Sequence, residues 1–267
     1  DPSNVLQDTS FLSQLAGRFS NQLAFRIRRK NQSDRFWKNL NPFAYSVDHP
    51  DVLSQSSNLR NTLSFNKNSL TYQVDYIYLK SQSKQLLMNG TQLMQERQHA
   101  LHLTWNFNRA VTMLNKARVG VEHHQSDYFQ NRNYRIHALE ESFELRYRPS
   151  PTLRFEMDYA FADLKNRLGN EKAVKHSIGM EFHLSRIKKF KLQGQTHFIH
   201  YRYGMDENTA IAYQMLEGLK PGNNLTWSLI LQKEIYKNLD LNINYSGRAS
   251  GEHRAIHTGQ LELRASF

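Results

Sequence analysis

The chain has 267 residues, a formal net charge of +11 and a hydrophobic fraction of only 39%. No segment approaches the roughly 18 to 20 consecutive apolar residues that a membrane-spanning helix needs, which excludes a helical membrane protein. The absence of cysteine excludes disulfide bonds and thiolate metal sites. A membrane β-barrel is compatible with this polarity, because half of its strand residues face a polar interior.

Apolar and polar residues alternate with a period of two along most of the chain, which predicts β-strands. Most of the alternating segments have about ten residues, the length of a tilted strand that crosses a bilayer, whereas soluble sandwiches commonly have strands of about five or six. In chain order, the predicted strands are 19–28, 59–66, 70–79, 99–107, 113–124, 139–148, 153–163, 174–185, 190–202, 225–235, 239–249 and 257–267.

The predicted connections alternate between short and long. The short ones are 67–69, 108–112, 149–152, 186–189 and 236–238, and the long ones are 29–58, 80–98, 125–138, 164–173, 203–224 and 250–256. This alternation is typical of a transmembrane barrel with short periplasmic turns and long extracellular loops. The sequence therefore predicts an all-β, antiparallel, up-and-down barrel of about 12 strands in the bacterial outer membrane.

One extracellular loop contains a predicted helix. Residues 206–222 show partial helical spacing at Ala210, Tyr213 and Leu216, and Gly218 and Pro221 then end the pattern. The segment either folds over the barrel mouth or presents apolar residues to a partner.

Aromatic residues lie near both ends of the predicted strands, where amphipathic rings meet lipid headgroups. A general preference of aromatic residues for strands is the alternative explanation. The predicted girdle consists of Trp105, Phe107, Tyr147, Tyr159, Trp227 and Tyr245.

The polar face of the strands would point into the lumen. Its charges of both signs predict a salt-bridge network that largely fills the interior, and the alternative is a selective pore lined by a charge ladder. The residues of this network are Glu144, Arg146, Arg154, Glu156, Arg248, Glu262 and Arg264.

The stretch HHQSD offers a candidate catalytic pair. His124 and Ser126 resemble the His base and Ser nucleophile of outer-membrane phospholipases and lipid A deacylases. Chance proximity is the alternative, since the chain has 12 histidines. The other histidines are too scattered to show metal-ligand spacing, so neither a metal nor a cofactor is predicted.

The basic residues are spread over the whole length and form no motif that reads DNA or RNA. We therefore expect no nucleic-acid partner. Anionic outer-membrane lipids and the phosphates of lipopolysaccharide fit the positive charge instead.

The C-terminal third resembles the ending of large outer-membrane proteins of Bacteroidota. The resemblance rests on Tyr213, Leu216, Glu217, Gly218, Leu219, Pro221, Gly222, Trp227, Tyr245, Gly247, Arg248, Ser250, His257 and Gly259. It covers about 60 residues, from Ala212 to Phe267. It implies that residues 1–15 are a tail or linker from a preceding region and that residues 16–267 form the barrel. It also implies that Leu261, Leu263 and Phe267 belong to the signal read by the barrel-assembly machinery.

These features predict an outer-membrane barrel that serves as a membrane anchor and as a structural or interaction subunit of a cell-envelope assembly, with other envelope proteins as partners. Catalysis is not expected. The two alternatives are a small selective channel and a lipid-active serine hydrolase that uses His124 and Ser126.

Overall fold

The computed structural model describes residues 17–31, 52–67, 69–88, 90–186, 190–236, 238–251 and 254–265. The predicted tail at 1–15 and the terminal Phe267 lie outside these ranges. Within them, no helix is long and apolar enough to cross a membrane.

The described residues form twelve strands, one 3₁₀ turn at Gln130–Arg132 and one short α-helix. The strands are β1 (Phe19–Asn31), β2 (Val52–Phe65), β3 (Tyr72–Leu87), β4 (Gly90–Asn106), β5 (Val111–Ser126), β6 (Tyr134–Ser150), β7 (Leu153–Asn166), β8 (Lys172–Arg186), β9 (Phe190–Tyr203), β10 (Gly222–Tyr236), β11 (Leu239–Ser250) and β12 (Ile256–Ala265). The helix, α1, is Ala210–Met215 and lies between β9 and β10.

All twelve strands belong to one sheet, in which each strand pairs antiparallel with its neighbours in the chain. The prediction of an all-β, antiparallel, up-and-down fold with twelve strands is therefore confirmed. We call the edge of the sheet with the β9–β10 connection the loop end, and the edge with the β2–β3 connection the turn end.

The strands are longer than predicted, and one connection differs in kind. Residues 80–98 were expected to form a long loop, but β3 continues to Leu87 and β4 begins at Gly90. The ladder is unbroken there, with Ser81 opposite Glu96. Polar residues predominate on both faces in this part of the strands, and the few apolar ones, such as Leu86 and Leu87, do not alternate with them. Gly90 has a φ of 121°, a conformation that glycine adopts without steric cost and that permits the tight turn.

The register separates the sheet into two chemically distinct faces. On β6 and β7, Arg146 lies opposite Glu156 on one face, and Leu145 lies opposite Met157 on the other. The apolar face carries large exposed side chains along the whole sheet, including Leu101, Met157 and Ile178, each at least half exposed. This is the pattern of a barrel wall whose outer face meets acyl chains.

The two terminal strands have partners on one side only. β1 pairs with β2 and β12 with β11, and no ladder joins β1 to β12 within the described ranges. Every residue of β12 is exposed, on both faces of the strand. The outer edges of β1 and β12 therefore present backbone groups without a β-sheet partner in this part of the chain.

Candidate functional site

The polar face is concave near the loop end, where the β9–β10 connection folds back onto it. Thr209 caps the N-terminus of helix α1, and its hydroxyl accepts a hydrogen bond from the backbone amide of Ala212 at 3.0 Å. This cap supports a helix of only six residues. The helix packs against the wall in one cluster of buried apolar residues. This cluster consists of Tyr134, Ile136, Ala173, Ile199, Tyr201, Ile211, Ala212, Met215 and Leu216.

Polar contacts also hold this connection to the wall. Lys175 Nζ lies 2.7 Å from Glu217 Oε2, and Gln214 Nε2 lies 3.4 Å from Glu122 Oε1. The segment predicted at 206–222 thus lies against its own barrel wall, with a shorter helix than the sequence indicated. Of the residues that predicted this helix, Leu216 is buried in the contact, whereas Ala210 and Tyr213 are exposed.

The predicted charge network lies on the same concave face. Glu144 pairs with Arg146, and Arg154 Nε lies 2.6 Å from Glu156 Oε1, although off the hydrogen-bond direction. Arg146 Nε also lies 3.6 Å from Glu156 Oε1, so the four residues form one connected group across β6 and β7.

The other three predicted members of the network lie apart from this group, on β11 and β12. Arg264 Nη2 is 3.0 Å from Glu262 Oε1 on the same strand, and both side chains are largely exposed. Arg248 lies opposite Thr226 and Ile256. Among the described residues, these charges pair with neighbours along the wall.

A groove of about 390 Å³ lies on the concave face below α1. Its lining includes Arg60, His102, Lys116, Arg118, Glu140 and Glu217. Arg118 pairs with Glu140 at its floor. The groove is open, and its lining combines charged side chains of both signs with apolar ones such as Ile77, Leu79 and Leu164.

His124 and Ser126 are buried on the concave face at the loop end. The His124 Nδ1 donates to the carbonyl of Arg132 at 3.0 Å, which leaves Nε2 to accept from Gln92 Nε2 at 2.7 Å. The Ser126 hydroxyl accepts from the amide of Phe129 at 3.2 Å. Both side chains therefore stabilise the β5–β6 connection, and the hydrogen bonds described for them do not join His124 to Ser126.

The residues of the predicted girdle lie on the apolar face or at its turn-end margin. Trp105, Phe107 and Tyr147 lie near the turn end, and Tyr159 and Tyr245 lie nearer the loop end, all with exposed rings. Trp227, also on this face, is half-buried against Gly247, where an added Cβ would meet the indole ring. Leu261 and Leu263, of the predicted assembly signal, are exposed on the apolar face of β12.

Three tyrosine–histidine pairs on the apolar face were not predicted. The hydroxyl of Tyr76 lies 2.7 Å from His99 Nδ1 on the next strand. The corresponding distance is 2.8 Å both for Tyr159 with His176 and for Tyr245 with His257. In each pair the histidine lies opposite the residue two positions after the tyrosine. No signal within one strand could have shown this, because the pairs depend on the register between strands.

Comparisons with solved structures identify the fold. The siderophore receptor PirA from Acinetobacter baumannii has a TM-score of 0.59 at 7% identity, and the match covers 93% of this chain and 41% of the receptor. PirA from Pseudomonas aeruginosa has a TM-score of 0.56 at 8% identity, and the match covers 94% of this chain and 40% of the receptor. The FrpB iron transporter from Neisseria meningitidis has a TM-score of 0.53 at 11% identity, and the match covers 87% of this chain and 42% of the transporter.

The chain has the fold of an outer-membrane β-barrel. The fold and the predicted location in the bacterial outer membrane are thereby confirmed. The chain spans about two-fifths of the length of the receptors that it matches. No protein-family model and no curated protein matches the sequence. The resemblance to Bacteroidota proteins stays a prediction.

Among the described residues, no group of three or more histidine, aspartate or glutamate side chains could hold a metal ion.

Proposed function

We propose that the chain forms part of the wall of a large outer-membrane barrel and anchors a cell-envelope assembly in the membrane. The observation that carries this proposal is the pairing of the strands. Twelve strands present a continuous apolar outer face, yet β1 and β12 each have a partner on one side only within the described residues.

An open sheet edge is not viable in hydrocarbon. Each unpaired N–H or C=O group there costs several kcal/mol, so membrane barrels close completely. β1 has 13 residues and β12 has 10, and alternate residues turn their N–H and C=O groups to the open edge, so roughly five or six residues of each strand lack a partner there. A closed barrel therefore requires a partner strand for both. The matched receptors support a wider closure, since this chain covers only about two-fifths of each of them.

The strands that complete the barrel belong, in this proposal, to the same polypeptide outside the 267 residues. Bacterial outer-membrane barrels are commonly single chains with an even number of strands. The twelve strands of this chain are compatible with an even total. The barrel-assembly machinery would recognise β12, and lipopolysaccharide would surround the finished wall.

Cysteine cross-linking tests the closure, because the natural sequence has no cysteine. Leu23→Cys is combined in turn with a cysteine at His257, Gly259, Leu261, Leu263 or Ala265, in the full protein in its own membrane. The matched controls are Leu23→Cys with Asn61→Cys and Ile243→Cys with Leu261→Cys, which lie directly opposite each other on paired strands.

We expect disulfides in both controls and none between β1 and β12. A cross-link within one chain between β1 and β12 would show that twelve strands close alone. A cross-link of dimer size would show that a second copy supplies the missing strands. A photo-reactive residue at Phe25 or Leu261 should instead join the chain to a peptide outside the 267 residues, identified by mass spectrometry.

A solute pathway is the second candidate function. It is favoured by the charge pairs, which follow the wall and leave the groove around Arg118 open. In a wide barrel these side chains line the interior instead of filling it. Ohmic steps of the full protein in planar bilayers would support a pathway, and a silent bilayer would leave the anchor role alone.

A further inference from the structure

Basic residues form a band on the apolar face close to the loop end. We call this the basic band, and it consists of Lys80, Arg97, His123, Arg135, His137, Lys165 and Lys172. Each of them is on the face that carries Leu101, Met157 and the other lipid-facing side chains. The band crosses six consecutive strands, from β3 to β8.

The register places members of the basic band directly opposite each other. Lys80 faces Arg97 on β3 and β4, and His123 faces Arg135 on β5 and β6. On β7, Lys165 faces His137 on one side and Lys172 on the other. Like charges directly opposite each other in a sheet destabilise it. Lys80 with Arg97 and Lys165 with Lys172 are pairs in which both side chains are charged at pH 7, whereas His123 and His137 add neutral imidazoles beside Arg135 and Lys165. An anion outside the protein would offset the repulsion within the two charged pairs.

The protein itself supplies little negative charge to this surface. Asp163 Oδ2 lies 2.8 Å from Lys165 Nζ. In the described part of the chain, no carboxylate lies within ion-pair distance of Lys80, Arg97 or Arg135. A shallow groove of about 370 Å³ runs between these three residues and His123. Glu96 also lines this groove, but the register places its side chain on the concave face with Gln98, so basic side chains predominate on the outer face.

The three tyrosine–histidine pairs fix the level of the basic band relative to the membrane. Tyrosine and histidine rings with a polar tip favour the headgroup boundary, where one end is apolar and the other is wet. Lys80 follows Tyr78 by two residues on β3, and Arg97 precedes His99 by two on β4. Two residues along a strand span roughly 7 Å, so the basic band begins just beyond this boundary.

We propose that the basic band binds the phosphate groups of an anionic lipid in the outer leaflet. Guanidinium and ammonium groups bind phosphate through charge-assisted hydrogen bonds, and the spacing of opposed side chains allows one phosphate to contact both. The lipid is the expected source because the groove opens on the face that meets acyl chains. This inference rests on the proposed membrane role of the wall.

The test counts lipid phosphorus retained by the full protein after mild detergent extraction and gel filtration. The double variant Arg97→Gln/Arg135→Gln removes two charges from the basic band. The matched control is Arg26→Gln/Arg28→Gln, which removes two charges from the concave face of β1. We expect the first variant to lose at least half of the retained phosphorus and the control to retain all of it. Equal retention by both variants would overturn the proposal.

Reconstitution separates the possible sources of the phosphate. The purified protein is added to phosphatidylcholine vesicles that contain diphosphorylated lipid A, dephosphorylated lipid A or neither, with or without inorganic phosphate in the buffer. Only diphosphorylated lipid A should raise the unfolding temperature, and the Arg97→Gln/Arg135→Gln variant should lose this rise. An equal rise with inorganic phosphate alone would show a free-phosphate site and contradict the lipid assignment.

Failure of this proposal is distinguishable from failure of the membrane role. A protein that does not fractionate with the outer membrane contradicts both. A protein that inserts normally, with unchanged lipid retention in the double variant, contradicts the basic band alone.

Discussion

Adjacent residues on β10 provide a direct comparison of the two faces of the sheet. Leu229 lies midway along the strand with its side chain turned outward, 39% exposed, and Ser228 points to the concave face between Gln195 and Ser246. We expect Leu229→Arg to be much more destabilising than Ser228→Arg. The same side chain is introduced in both variants, so the difference reports the surroundings of the two faces.

The magnitude follows from the depth of Leu229. Half of β10 spans about 23 Å along the strand. At a tilt of about 45° this is about 16 Å along the membrane normal, beyond the reach of an arginine side chain. An arginine on the lipid face at the bilayer midplane costs about 2–4 kcal/mol. This free energy corresponds to a decrease of about 30-fold to about 700-fold in the folding equilibrium constant.

Urea unfolding of the full protein in lipid vesicles measures this difference. Leu229→Arg should lower the free energy of unfolding by the stated amount, while Ser228→Arg changes it by less than about 1 kcal/mol because water reaches the concave face. Equal effects of the two substitutions would refute the assignment of the apolar face to lipid.

Three further substitutions have defined outcomes. Met215→Ala should cost about 2–5 kcal/mol of local stability, because the side chain is almost fully buried against the wall, and limited proteolysis should then cleave within 204–221 while the strands stay intact. Gly247→Ala should destabilise the protein by about 1–3 kcal/mol in thermal unfolding, since its Cβ would meet the indole of Trp227, and an unchanged midpoint would contradict this contact. Ser126→Ala should leave the acyl-chain content of the membrane lipids unchanged, as measured by mass spectrometry. A loss of lipid deacylation in this variant would support the hydrolase alternative.

The strand pattern could be predicted because one face is apolar wherever the strands cross hydrocarbon. The alternation from Leu101 to Trp105 marks β4 clearly, and the number and order of the strands followed from such segments. Near the loop end this signal is lost. There Ser81, Gln82 and Ser83 are polar on both faces, so the extension of β3 was taken for a loop, although its ladder with β4 is complete.

The candidate site was less accessible to prediction, because it depends on contacts between distant segments. Tyr201 is not among the residues predicted for the site, yet it points inward and is 1% exposed beneath α1. Its inward position is set by its pairing with Lys175 and Gly222, which no single strand reveals. The connected group from Glu144 to Glu156 was easier to predict, since its members lie on two consecutive strands joined by a two-residue turn.

Electron paramagnetic resonance along β10 gives the most direct test of where the two faces lie. Single cysteines from Leu225 to Gln232 carry a nitroxide label in the membrane-inserted protein. Collisions with oxygen, which dissolves in acyl chains, should peak at 225, 227, 229 and 231. Collisions with a water-soluble nickel chelate should peak at 226, 228, 230 and 232. If all eight positions respond equally to the chelate, the outer face does not meet lipid and the membrane wall is contradicted.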